Sequence, residues 1–191
     1  LRIVIDPSSL RLRTFPDPVL RRRGADVPVV DDEVRAVARR MIELMFEAEG
    51  IGLAAPQVGL SWRMFVAHVP EAEDRSVADV PATATAHPVV YINPVVSEFS
   101  RDLAPYDEGC LSLPEITGDV RRPSQATITA VGIDGQRFSV RGAGLLARCW
   151  QHELDHLDGV LIIDRMTPGS RLRNRAAVRR LEQDAEEARR A

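Results

Sequence analysis

His152 and His156 flank Glu153, Leu154 and Asp155, and this four-residue interval constrains the chain more than any other feature. On a helix the two imidazoles lie one turn apart on one face and can point at a single ion. Glu153 falls on that side too. A carboxylate there can reach a water on the ion without being a ligand, as a proton acceptor in metal-assisted hydrolysis must. The chain has only four histidines, and two are in this segment. The spacing predicts a buried helix over 144–157 that stops at Gly159.

Two imidazoles need a third ligand. A metzincin would supply a histidine at position 162, which is Ile162, although Gly159 fits its pattern. A thermolysin-like site would use a later glutamate, but Glu182, Glu186 and Glu187 stand among arginines in a tail that reads as a solvated helix. Of the two cysteines, Cys149 shares the helical stripe of His152, yet its short side chain starts about 7 Å away along the axis from the midpoint of the histidines. Cys110 is the better third ligand. It lies in 107–114, where Gly109 and Pro114 suggest an irregular, constrained backbone able to present sulfur to the helix. Cys149 then reads as a small buried residue beside the metal. One thiolate and two neutral imidazoles leave a fourth position open for water, which marks a catalytic site.

Elsewhere, Asp31 or Asp32 can cap a helix in which Val34, Val37, Met41, Ile42, Leu44 and Met45 recur with helical spacing, ended by Gly50. Strands are expected at 63–69 and 89–96, and a hairpin over 126–140 around Asp134-Gly135. Residues 71–88, rich in Ala, Thr, Pro and acids, read as a mobile surface insertion, and 170–191 as a helix packed by Leu172, Val178 and Leu181. Strands without regular βα alternation imply an α+β fold, with mostly antiparallel strands around a central metal-binding helix and a C-terminal helix, all in one domain over 1–191. Gly50 and Gly52 let an extended backbone approach a peptide, which pairs with it as an added strand, and Ile51 lies between them.

Three segments in order, Gly50-Ile51-Gly52-Leu53-Ala54-Ala55-Pro56-Gln57, Glu108-Gly109-Cys110-Leu111-Ser112 and His152-Glu153-Leu154-Asp155-His156, resemble the motifs of the peptide deformylases. The resemblance runs from about residue 17 to 164. It implies a hydrolase of a linear amide that removes the formyl group from the N-terminal formyl-methionine of new polypeptides and releases formate. It further implies that the side-chain amide of Gln57 and the backbone N–H of Leu111 stabilise the oxyanion, that Glu153 acts as base and then acid, and that Glu108 supports the ligands from behind. The ion implied is Fe2+, with Zn2+, Ni2+ or Co2+ able to substitute. A ferrous centre beside an exposed thiolate would be sensitive to oxygen.

A methionine substrate needs a long apolar pocket, for which Ile51, Leu145, Cys149 and the stem of His152 are the expected walls. Arg148 departs from the aliphatic residue the family often carries. Either it makes one wall more polar, or it folds its stem along the wall and sends its charge to solvent. The family also suggests transient ribosome contact through the C-terminal helix, although the acidic half after Glu182 disfavours RNA.

Composition closes off other classes. All 25 basic residues are arginine, so Schiff-base chemistry and a lysine-bearing phosphate loop are excluded. The runs 21–23 and 121–122 read as solvated surface. A net charge of -3 gives no pull toward nucleic acid. No apolar run approaches a membrane span, the opening residues Leu1 to Asp6 lack a signal-peptide pattern, and two cysteines fit a reducing cytoplasm.

Overall fold

The computed structural model describes residues 5–190; residues 1–4 of the opening segment and residue 191 of the expected tail helix lie outside them. Helix α1 (Asp32–Glu47) is capped by Asp31, whose carboxylate accepts the Val34 N–H at 3.0 Å. Its apolar stripe packs Val37, Met41 and Met45 against Leu53, Met64 and Ile92. The expected stop at Gly50 is displaced. Glu49 takes the left-handed conformation at φ 55°, and Gly50 donates its N–H back to the Met45 carbonyl at 2.8 Å. A Cβ at position 50 would sit 2.8 Å from Cδ1 at the far end of the Leu111 side chain, so the glycine lets that side chain lie close.

Five strands form one antiparallel sheet in the order β1 (Gly52–Ala54), β2 (Met64–Ala67), β3 (Val89–Ser97), β6 (Gln125–Val131) and β7 (Arg137–Ala143). The expected strands at 63–69 and 89–96 are β2 and β3, and the expected hairpin is β6–β7. Strand β1 lies at an edge of this sheet, so among the described residues one side of its backbone has no neighbouring strand.

A second, two-stranded sheet is made by β4 (Ala104–Cys110) and β5 (Leu113–Arg122). The irregular backbone expected over 107–114 is therefore mostly a hairpin. The ladder slips between Gly109, opposite Thr117, and Cys110, opposite Leu113. Pro114 and Glu115, the latter at φ 61°, fall in the resulting bulge, where a residue without an N–H breaks no ladder bond. The strand-breaking signals are local to that bulge.

Helix α2 (Gly144–Leu157) runs between the two sheets over the span expected, with Asp158 as its cap and Gly159 at φ 73°. Leu146, Ala147, Trp150 and Leu157 pack on the large sheet, where Trp150 Nε1 donates to the Tyr91 hydroxyl at 3.0 Å and Tyr91 stacks on Phe65. Helices α3 (Ile162–Arg165) and α4 (Pro168–Arg190) follow. Val178 and Leu181 of α4 pack against the core that contains Leu113, Ile116 and Met166, but Leu172 does not take the packing place expected of it and is 70% exposed. The buried Ser170 hydroxyl accepts the Asp119 N–H at 2.9 Å and ties α4 to β5.

Residues 71–88 carry a frame of hydrogen bonds. Ser76 donates its N–H to the Thr83 hydroxyl at 2.8 Å, Ala143 donates to the Ala82 carbonyl at 2.9 Å, and Ala84 is buried. The whole is an α+β arrangement of antiparallel strands around a central helix, with a helix at the C-terminal end, as the residue patterns lead one to expect.

Candidate metal centre

Three faces of α2 do three things. One packs on the large sheet, a second carries Arg148 and Asp155 toward the β4–β5 hairpin, and a third turns Cys149, His152 and Glu153 into a cleft of about 770 Å³. Gly50, Ile51 and Gly52 form one wall of the cleft, and residues 106–111 at the end of β4 form the opposite wall.

The hairpin brings Cys110 to the helix. Its Sγ lies 3.3 Å from His156 Nε2, and His156 Nε2 lies 3.2 Å from His152 Nε2. All three donor atoms fall within 4.8 Å of one another. Metal–nitrogen and metal–sulfur bonds of about 2.0–2.3 Å put tetrahedral ligands about 3.3–3.6 Å apart, so this triad fits an ion. Thiolate and imidazole together suit a borderline-soft divalent metal. Burial works against charge on His152, but hydrogen bonds to Cys110 and Glu108 outweigh it and raise its pKa well above the ordinary value. Burial and the neighbouring His152 hold His156 well below its ordinary value.

Glu108 is buried behind the triad, where its Oε2 meets His152 Nδ1 at 3.1 Å and so turns Nε2 toward Cys110. Burial alone would raise the Glu108 pKa, yet hydrogen bonds with His152 and Arg122 hold it well below the carboxylate range. Arg122 grips the carboxylate with two bonds, Nε to Oε1 at 2.7 Å and Nη2 to Oε2 at 3.0 Å, and reaches Asp155 at 2.8 Å with Nη1. Arg165 holds the other Asp155 oxygen at 2.6 Å.

These contacts correct two expectations. Arg122 is not solvated surface but 5% exposed, because β5 turns Ile116, Gly118, Val120 and Arg122 inward at every second position. Arg121, next to it, is exposed as expected. Nor does Arg148 send its charge to solvent. It is 6% exposed and donates to Glu108 Oε1 at 2.6 Å. Residue type alone missed Arg122 and Asp155; for Arg122 the alternation along β5 was the available signal.

Glu153 is buried on the cleft side, with no hydrogen-bond partner for its Oε2 among the described residues. Desolvation raises its pKa to about 7. A side chain at position 52 would overlap its carboxylate and come within 2.9 Å of Cys149 Sγ, so only glycine lets β1 pass this close. Gln57, also buried, accepts the Ala54 N–H at 2.8 Å through Oε1, which leaves its amide nitrogen facing Ser112 Oγ at 3.2 Å and Cys110 Sγ at 3.7 Å. Leu111 occupies the turn between β4 and β5, against Gly50. Cys149 is buried with its Sγ 3.5 Å from the Ile51 carbonyl, and Leu145 lies one turn before it on the cleft wall. Tyr106 and Glu115 line the same cleft and were not singled out from the sequence.

Comparison with known proteins gives one answer. The family model for polypeptide deformylase matches residues 9–172. The chain is 45% identical over 157 residues to peptide deformylase 2 of Gloeobacter violaceus, covering 82% of this chain and 79% of that one. It is also 45% identical to the peptide deformylase of Agrobacterium fabrum, over 80% and 84% of the two chains. Among solved structures, an inhibitor complex of Arabidopsis thaliana peptide deformylase 1B superposes with a TM-score of 0.82 at 36% identity, over 94% and 93% of the chains.

Proposed function

The chain belongs to the peptide deformylase family, whose members remove the N-formyl group of nascent polypeptides, and from that premise we propose how its residues divide the work. It acts on formyl-methionyl peptides by hydrolysing a linear amide. The observation that carries the assignment of roles is the convergence of the Cys110, His152 and His156 donor atoms beside a buried carboxyl whose pKa lies near 7.

The family depends on a metal, and in our reading Cys110, His152 and His156 hold it. Thiolate and imidazole leave the choice open on ligand type; we propose Fe2+ in the cell, with Zn2+, Ni2+ or Co2+ able to replace it. When bound, the ion supplies Lewis acidity and lowers the pKa of a water at its open position. Glu153 takes the proton of the attacking water and returns it to the departing amine. A buried carboxyl with a pKa raised to about 7 is matched to both transfers. The Gln57 amide, held by Ala54, and the Leu111 backbone N–H serve the developing oxyanion. The substrate backbone pairs with residues 50–52, which lead into the edge strand β1, and its side chain enters among Ile51, Leu145 and Cys149. Glu108 holds His152 in register.

We read 1–191 as one catalytic domain working in the cytoplasm, with 71–88 as a flexible surface insertion. No helix of the described residues is long and apolar enough to cross a membrane. Contact of α4 with the ribosome is a further proposal, supported by the arginines of its first half.

The test is formate release from a formyl-Met tripeptide by protein prepared without oxygen and loaded with Fe2+, Ni2+ or Zn2+, beside Glu153→Ala and Cys110→Ala. Turnover should vanish in both variants, with metal retained by the first and lost by the second. Stoichiometric metal without turnover by the parent would defeat this division of roles.

A further inference from the structure

The β4–β5 hairpin supplies one of the three metal-facing side chains, yet it forms a sheet of its own and is not part of the five-stranded ladder. Backbone bonds tie the hairpin to Phe15, whose N–H meets the Ser112 carbonyl at 2.8 Å, and to Thr167, whose N–H meets the Asp119 carbonyl at 2.9 Å, but it is side-chain contact that joins it to α2. Arg122 reaches from β5 to Asp155 near the C-terminal end of α2. One arginine reaches the other way. Arg148 stands one turn before His152, and its guanidinium meets the hairpin at three points, with Nη1 on Glu108 Oε1 at 2.6 Å and on the Val120 carbonyl at 3.2 Å, and Nη2 on the Ala104 carbonyl at 2.6 Å. Its flat face covers the Tyr106 ring at 5.2 Å. Both strands of the hairpin, and the carboxylate that orients His152, are thus held by one side chain of α2.

We propose that Arg148 is a positioning residue that docks the β4–β5 hairpin on α2 and so sets the separation between Cys110 and the two histidines. Planarity is what the place demands, because a fork of fixed N–H donors can span a carboxylate and two carbonyls while a compact ammonium cannot. The same contacts decide what Arg148 brings to the cleft it lines. Its charge is taken up by Glu108, so it adds no free cation for an acidic side chain of the substrate. The proposal rests on Cys110, His152 and His156 being the ligands.

The test uses the full chain loaded with Co2+, whose thiolate charge-transfer absorption reports the Cys110 bond. Arg148→Met, which keeps length and apolar stem, should release cobalt to a chelator about 10-fold faster, as loss of partners behind metal ligands commonly does. Its charge-transfer band should shift, and kcat at saturating metal should fall more than KM rises. Arg148→Lys should lie between the two. Parent-like release, band and kcat in Arg148→Met would overturn the proposal, and so would a lowered melting temperature with those three unchanged, since that would make Arg148 a packing residue only. If Arg148→Met does not fold, Arg148→Lys carries the same decision: faster release supports the proposal and parent-like release overturns it. Cys110→Ala separates the two levels. If it keeps the charge-transfer band, the ligand assignment fails, whatever Arg148 does.

Discussion

Glu153 is the side chain on which the proposed chemistry of this chain converges. Its neighbours explain why it is poised, since β1 passes close against its carboxylate at a glycine, and Oε2 has no partner among the described residues. Burial lifts its pKa from 4.5 to about 7. A carboxyl whose folded pKa is raised favours the native state below its unfolded pKa, and that contribution is lost as pH rises through the folded value. In metal-stripped protein, denaturant unfolding should therefore show Glu153 costing stability progressively between about pH 4.5 and 7, by about 3 kcal/mol in all. Glu153→Gln should remove that slope while lowering kcat by about 10²–10⁴-fold. Identical pH dependence in the two proteins would show that Glu153 is not desolvated as described. Glu153 and the histidines were legible from spacing because all three lie within one helical turn. Arg122 and Arg148 were not, because an arginine is buried only where another segment supplies a carboxylate, here Glu108 at 14 and 40 positions away.

The β4–β5 hairpin is the element on which the site turns. Its inner face alternates Ile116, Gly118, Val120 and Arg122, so an ionic side chain occupies an otherwise apolar row. Two buried carboxylates, Glu108 and Asp155, share Arg122. Arg122→Leu should destabilise the protein by about 3 kcal/mol in urea unfolding, the lower end of the cost of breaking a buried pair, because Arg148 and Arg165 remain to hold the two acids. A loss below about 1 kcal/mol would mean that those two arginines suffice. The hairpin itself was hidden at the sequence level. Gly109 and Pro114 are strand breakers by propensity, and only the bulge that absorbs Pro114 and Glu115 lets the pairing resume at Thr117.

At the scale of the molecule, α2 is the common wall of both sheets, and α4 braces the hairpin from outside. The bracing ends early. Val178 and Leu181 are its last packed apolar side chains, and 182–190 is largely exposed. Truncation after Gln183 should leave stability within about 0.5 kcal/mol of the parent. Truncation before Pro168 should lower the melting temperature clearly, since it removes both packing residues and the Ser170 bond to Asp119. Equal melting temperatures for the two truncations would show that α4 braces nothing.

What the sequence determined by itself is local or periodic. The His152–His156 interval dictates a helix with both rings on one side. Periodicity outlines α1, β2, β3 and the β6–β7 hairpin, and the three ordered motifs carry the family. Tertiary structure decided the rest: that Cys110 meets His156 across 46 positions, that β1 is an edge strand, that Leu172 faces solvent while Val178 packs, and that two arginines lie inside. The physical reason is one of range. Helical and strand periods report which side of an element is apolar, whereas the partner of a buried charge is chosen by how distant elements dock, and no period along the chain encodes that distance.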